Sequence, residues 1–179
     1  MVNRQIPLKF IVKSSSNHII KLIEFTRKTK GDLRMALIET SIKINKPASF
    51  IFAHLTNLEN MKNEYVEKIE IDGPIRLGLK YKIFTKAGGR VIETVNEVVG
   101  FEKDKMVSTK TFAAPPASDL VNTYILEEEG GATKVIFQTE AMLTVPGMPS
   151  MPGMEDMMKK QMLATYDSTL AALKKKLEG

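Results

Sequence analysis

The sequence predicts an α+β domain in which one long helix packs on a seven-stranded antiparallel sheet. Three observations carry this. Residues 36–144 read as strand after strand with a single helical interruption, the links between strands are short, and residues 153–178 form an amphipathic helix that needs an apolar partner. Strands joined by short turns pair antiparallel with their sequence neighbours, so a meander is expected rather than a doubly wound sheet.

The elements follow in order. In ALIETSIKIN, residues 36–45, Ile38, Thr40, Ile42 and Ile44 alternate with Glu39, Ser41, Lys43 and Asn45, the period of a half-buried strand. Pro47 ends it. Residues 48–65 place Phe50, Ile51, Leu55, Leu58 and Met61 at helical spacing, as two short helices broken near Thr56 and Asn57 that would fill one end of a barrel or curved sheet. YVEKIEI, residues 65–71, is the second strand, closed by Asp72, Gly73 and Pro74. Residues 79–86 and 90–99 flank Ala87, Gly88 and Gly89 as a hairpin whose turn uses positive φ. Residues 105–112 form the fifth strand, AAPPAS separates it from residues 120–128, and Gly130 with Gly131 turns that strand into residues 133–144.

In the terminal helix Met154, Met158, Met162, Tyr166, Leu170, Leu173 and Leu177 recur at steps of three and four and form one apolar stripe. Its upper half is methionine, which adapts to irregular gaps, and its lower half is leucine, which packs in defined rotamers. A firm end and a yielding end are therefore expected, with the yielding end closing over a cavity for an apolar guest.

Composition narrows the functional classes. With 179 residues and hydrophobic residues at 43%, one domain of residues 35–179 with a sizeable core fits the length. The absence of cysteine excludes disulfides, thiolate nucleophiles and cysteine-ligated metal centres, and agrees with a cytoplasmic setting. No run of about 18 apolar residues is present, so no transmembrane helix is expected. Residues 1–34 carry eight Lys or Arg against Glu24 and Asp32, a net charge of +6, while the remaining 145 residues have a net of −1. The basic character thus belongs to residues 1–34 and does not argue for nucleic acid binding by the domain. That segment reads as a targeting peptide, a weak anionic-surface contact, an added helix over His18–Phe25, or an extension ahead of Met35. It lacks the uninterrupted apolar core of a secretory signal.

The run IETSIKINKPASFIFAHLTNLENM, the segment DGPIRLGLKYKI with its Gly73-Pro74 and Leu77-Gly78 pairs, the strand hairpins and the terminal helix resemble the START-like or SRPBCC superfamily, in particular its polyketide-cyclase/dehydrase and lipid-transport branch. The resemblance spans about residues 36–178. It implies the helix-grip fold: a curved seven-stranded sheet wrapped around the terminal helix, with two short helices after the first strand and a cavity between sheet and helix. Members bind lipids, sterols, hormones, quinones or polyketides, and a minority catalyse cyclisation. The implied function is binding or transport of a small hydrophobic ligand. The alternatives are a cyclase/dehydratase-type enzyme, which needs a pocket acid or base, and an interaction module like the helix-grip co-chaperones.

Catalytic and metal signals are weak. Two histidines, His18 and His54, cannot assemble a triad or a histidine metal cluster, and His54 suits a surface or helix end. The glycine pairs match no phosphate-binding spacing, and Glu127–Glu129 beside a turn reads as a solvated charge run. Neither catalytic residue, metal nor cofactor is expected. Met148, Met151, Met154 and Met157 fall three apart, a spacing of soft donors that would suit Cu(I); the series runs from a proline-broken loop into a helix, so core packing and ligand gating are preferred.

Strand alternation supplies the candidate lining. Val135, Phe137, Thr139, Ala141 and Leu143 share the more apolar face of the last strand, with Tyr124 and Leu126 beside it, and Ile92, Thr94, Asn96 and Val98 share one face of the fourth. The candidate ligand-binding residues are Tyr81, Ile92, Thr94, Asn96, Phe112, Tyr124 and Phe137 on strands, and Met154, Met158, Met162 and Tyr166 on the helix. A polar group such as Asn96, Asn122 or Tyr81 would orient a mostly apolar guest, taken up by a monomer or homodimer.

Overall fold

Alternating side chains and short glycine turns become a sheet as expected. The computed structural model describes residues 35–114, 117–143 and 153–179. They form strands β1 (Met35–Ile44), β2 (Val66–Ile71), β3 (Lys80–Ala87), β4 (Arg90–Glu102), β5 (Met106–Phe112), β6 (Leu120–Glu129) and β7 (Ala132–Met142), and helices α1 (Ala48–Thr56) and α2 (Met154–Glu178). The expectations for residues 1–34, and those for Met148 and Met151, concern residues outside the described ones.

The sheet order is β1-β7-β6-β5-β4-β3-β2, antiparallel throughout. From β2 to β7 it is the expected meander. β1 departs from it by pairing with β7 rather than with β2, from Met35 against Met142 to Ile44 against Thr133. The intervening α1 carries the chain away from β1, so β2 starts at the far edge of the sheet. The β3–β4 and β6–β7 hairpins close through Gly88-Gly89 and Gly130-Gly131, all four at positive φ, as two-residue turns that match the strand twist require. β4 is bulged between Val98 and Gly100. A Cβ at Gly100 would stand 2.9 Å from the Cβ of Ser108, so only glycine lets β5 approach there.

The break expected near Thr56 and Asn57 is present, but the second short helix is a single 3-10 turn, Leu58–Met61. Thr56 donates back to the Phe52 carbonyl at 2.8 Å, and the Asn57 side chain accepts from the Glu59 amide at 3.1 Å, which ends one helix and starts the other. Pro47 gives α1 no side-chain cap. Glu128 supplies one from β6, accepting from the Ala48 amide at 3.3 Å. The neighbouring carboxylates of the run expected to be solvated form exposed pairs, Lys43 with Glu129 at 3.3 Å and Lys134 with Glu127 at 3.6 Å. Thr133, buried, donates to the Lys46 carbonyl at 2.8 Å and pins the turn between β1 and α1.

One apolar core joins Ile44, Ile51, Phe52, Leu58, Val98, Val107, Leu126, Val135, Leu170 and Leu177. It gathers α1, the 3-10 turn and the C-terminal half of α2 over the inner face of the sheet. Polar ties hold that half: the Lys174 ammonium reaches the Lys43 carbonyl at 2.8 Å, the Asn45 amide donates to Glu178 at 2.5 Å, and Lys176 donates to the Asn60 carbonyl at 3.2 Å.

Candidate functional site

The inner face divides into two zones, and the division follows the two halves of α2. Cross-strand register places side chains in rows. One row runs Thr40, Phe137, Tyr124, Val107 across β1, β7, β6 and β5. The next, one pair of residues closer to the N-terminus of α2, runs Ile38, Thr139, Asn122, Thr109, Val98. Thr111, Asn96 and Tyr81 follow on β5, β4 and β3. Below these rows the wall is aliphatic and meets Leu170 and Leu177 of α2. Within the rows, hydroxyls and amides interleave with aromatic rings.

The polar groups are paired. Thr111 donates to the Asn96 Oδ1 at 2.7 Å, and Asn96 Nδ2 donates to the Thr94 carbonyl at 3.2 Å. Thr139 donates to the Asn122 Oδ1 at 2.8 Å. Asn96 and Thr139 are buried, so these bonds satisfy groups that would otherwise destabilise the wall. Among the described residues no buried side-chain nitrogen or oxygen lacks a partner. Burial pushes the Tyr124 hydroxyl up to about 12. Burial also raises that of Tyr81, partly opposed by a hydrogen bond with Thr109. Both phenols therefore stay protonated at neutral pH.

An aromatic relay links wall to helix: Tyr124 and Phe137 have ring centroids 4.7 Å apart, and Tyr166 of α2 meets Phe137 edge-on at 4.9 Å. Asp167, next along the helix, accepts a hydrogen bond from the Thr40 hydroxyl. Towards its N-terminus the helix changes character. Met154, Met158 and Met162 are half-buried and Met157 is 63% exposed, whereas Leu170 is 1% exposed. The helix backbone approaches β1 more closely than any other strand, so the rows on β4 and β5 lie on the far side of the wall from its closest contact.

Of the candidate lining residues, Tyr81, Thr94, Asn96, Tyr124 and Phe137 share the inner face, and Tyr166 lies against them. Met154, Met158 and Met162 occupy the N-terminal half of α2. Ile92 is in phase with Thr94 and Asn96 but sits near the β3–β4 hairpin at 51% exposure, on the rim. Phe112 is not brought to the site. It belongs to the opposite face of β5, with the Lys110 and Lys80 ammonium groups 4.8 and 5.8 Å from its ring centroid. The reason is parity: Thr109 and Thr111 point inward, so Lys110 and Phe112 point outward. Thr109 and Thr111 were not singled out in the sequence, although their two-residue spacing in KMVSTKTF was the available signal.

His54 is half-buried at the end of α1, its imidazole pKa lowered by burial and then by the nearby Lys176 charge. Among the described residues no group of three or more His, Asp or Glu could hold a metal ion, and no helix is long and apolar enough to cross a membrane.

The family described as polyketide cyclase / dehydrase and lipid transport matches residues 35–178. Curated proteins give no match. Among solved structures, a protein of unknown function from Staphylococcus aureus superposes with a TM-score of 0.64 at 13% identity, covering 83% of this chain and 99% of that one. A START superfamily protein from Mycobacterium smegmatis gives 0.60 at 13% identity, covering 79% and 97%. Ara h 8.0201 gives 0.57 at 12% identity, covering 78% and 97%. At these identities the likeness to solved structures shows the fold.

Proposed function

The chain belongs to the polyketide cyclase/dehydrase and lipid transport family, within the START-like superfamily, and we propose that it binds a small hydrophobic molecule between the inner face of its sheet and the methionine half of α2. The observation that carries this is the zoning of the inner face. A wall bearing internally paired amides and hydroxyls stands opposite a half-buried, adaptable helix face, while the buried residues of the helix itself, Leu170 and Leu177, lie in its leucine half. Apolar frame against aromatic ring and thioether would supply affinity, at roughly 25 cal/mol per Å² removed from water before ordering costs. The paired polar rows would supply orientation.

The wall also favours binding over the cyclase alternative. Among the described residues, the inward positions from Thr94 to Val98, Val107 to Thr111, Asn122 to Leu126 and Val135 to Ala141 carry hydroxyls, amides, phenols and apolar groups. A cyclase or dehydratase needs a proton carrier that works near neutral pH, and two phenols held protonated are poor bases. A cytoplasmic carrier, acting as a monomer or homodimer, completes the reading. Native mass spectrometry of freshly purified protein, followed by solvent extraction, tests it. The expected result is a mass above that of the 20.0 kDa chain that disappears on extraction. A bare mass, together with no thermal shift from a panel of fatty acids, sterols and quinones, would overturn it.

A further inference from the structure

Helix-forming strength is uneven along α2. Over residues 157–164 and 170–178 every position is alanine, leucine, methionine, lysine, glutamine or glutamate, the strong helix formers. Between them stand Thr165, Tyr166, Asp167, Ser168 and Thr169, five weaker formers in succession near the middle of a 25-residue helix. The hydrogen bonds of the same turn are shared. The Thr165 hydroxyl donates to the Gln161 carbonyl at 3.0 Å, Ser168 to that of Ala164 at 2.9 Å, and Thr169 to that of Thr165 at 2.9 Å. In an α-helix those carbonyls accept from the amides of the same three residues, so each hydroxyl competes with its own N–H. All three side chains are exposed, on the face where a helix wrapped over a core carries its longer bonds. A bend at this turn therefore leaves the carbonyls with a donor.

The attachments of the helix change at the same place. Among the described residues, hydrogen bonds tie α2 to other elements at Asp167, Lys174, Lys176 and Glu178, and its buried side chains are Leu170 and Leu177. Tyr166 and Asp167 rest on Phe137 and Thr40 as a fulcrum. Ahead of them Met154, Met158 and Met162 are half-buried, and the helix starts at Gly153 without a side-chain cap. From the coincidence of weak helix formers, shared carbonyls and a change of anchorage, we infer that α2 carries a hinge at residues 165–169. The methionine half swings on it to admit and release the guest, while the leucine half stays clamped. The inference rests on the binding reading above and supplies its gate.

Amide hydrogen exchange on the full chain, without ligand, reads the hinge directly. An unbroken helix is best protected in its middle and frays at its ends. Here residues 165–169 are expected to exchange about tenfold or more faster than both residues 159–163 and residues 170–176, a minimum of protection between better protected flanks. Thr165→Ala, Ser168→Ala and Thr169→Ala combined replace exposed weak formers by the strongest one, and should fill that minimum. In the same variant, stopped-flow association and dissociation of anilinonaphthalene sulfonate should both slow by about fivefold or more, with its Kd within about twofold of the wild type. Protection that peaks at residues 165–169, or that rises steadily from the N-terminus of α2, overturns the hinge and leaves the binding reading standing, as does a filled minimum with unchanged dye rates. Failure of the wild-type chain to bind the dye overturns the gate together with the binding reading it rests on.

Discussion

Tyr124 carries its environment in its acidity. Its phenol is raised from 10.0 to about 12 by burial alone, so the folded chain keeps a proton that the unfolded chain releases earlier. Stability from this residue is complete below pH 10 and is lost as pH rises towards 12. At pH 11 the loss is about 1.4 kcal/mol, one pKa unit's worth. Urea unfolding of the wild type and of Tyr124→Phe at pH 8.5 and pH 11 should show the difference between them shift by that amount in favour of the variant at the higher pH; a constant difference would mean the phenol is already hydrated in the native state. The same residue shows how much of the site could be read from sequence. Strand parity was enough to put Tyr124, Asn96, Thr94 and Phe137 on one face, because a period of two leaves two choices and the apolar set picks one. Parity was available for Phe112 too, since Lys110 two residues earlier marks that face as outward. What no local pattern carries is the pairing of Asn96 with Thr111 and of Asn122 with Thr139. Those bonds join different strands, 15 and 17 residues apart in the chain, and depend on a register that only the folded sheet defines.

The strands and helices themselves were legible nearly to their ends, since alternation, glycine pairs and a heptad-like stripe are local signals. β1 was legible as a strand but not as the partner of β7, because its register against Val135 and Phe137 is a contact across almost the whole domain. The gradient in α2 was legible in composition, methionine above and leucine below, and it takes physical form in burial. Leu170 sits in the common core at 1% exposure, so Leu170→Ala should cost about 2–5 kcal/mol through lost burial and a residual cavity. Met158 is only half-buried and does not belong to the common apolar core, and Met158→Ala should cost less than about 1.5 kcal/mol. Chemical denaturation of the two variants, with unchanged m-values, measures the contrast. Equal losses would mean that the methionine half is packed as firmly as the leucine half, and the space assigned to a guest would be occupied by the protein itself.

At the scale of the molecule, the fold closes on itself between β1 and α2. The core found among the described residues runs from Ile38 to Leu177, and the family match covers residues 35–178. Charge divides along the same line, with a net of +6 on residues 1–34 and −1 on the rest. Folding and electrostatic attraction should therefore be separable by cutting at Met35. A chain that starts at Met35 is expected to unfold cooperatively with a thermal midpoint within a few degrees of the full chain, a difference of less than about 1 kcal/mol. Net charge is a matter of association more than of fold, and each basic residue near an anionic surface contributes about 1 kcal/mol of attraction. The full chain should consequently sediment with vesicles containing phosphatidylserine at low salt and release at high salt, when the Debye length shrinks to about 3 Å at 1 M, and the shortened chain should stay in the supernatant throughout. A fall in stability of several kcal/mol on cutting would instead make residues 1–34 part of the domain, and sedimentation that survives the cut would move the contact surface onto the folded body.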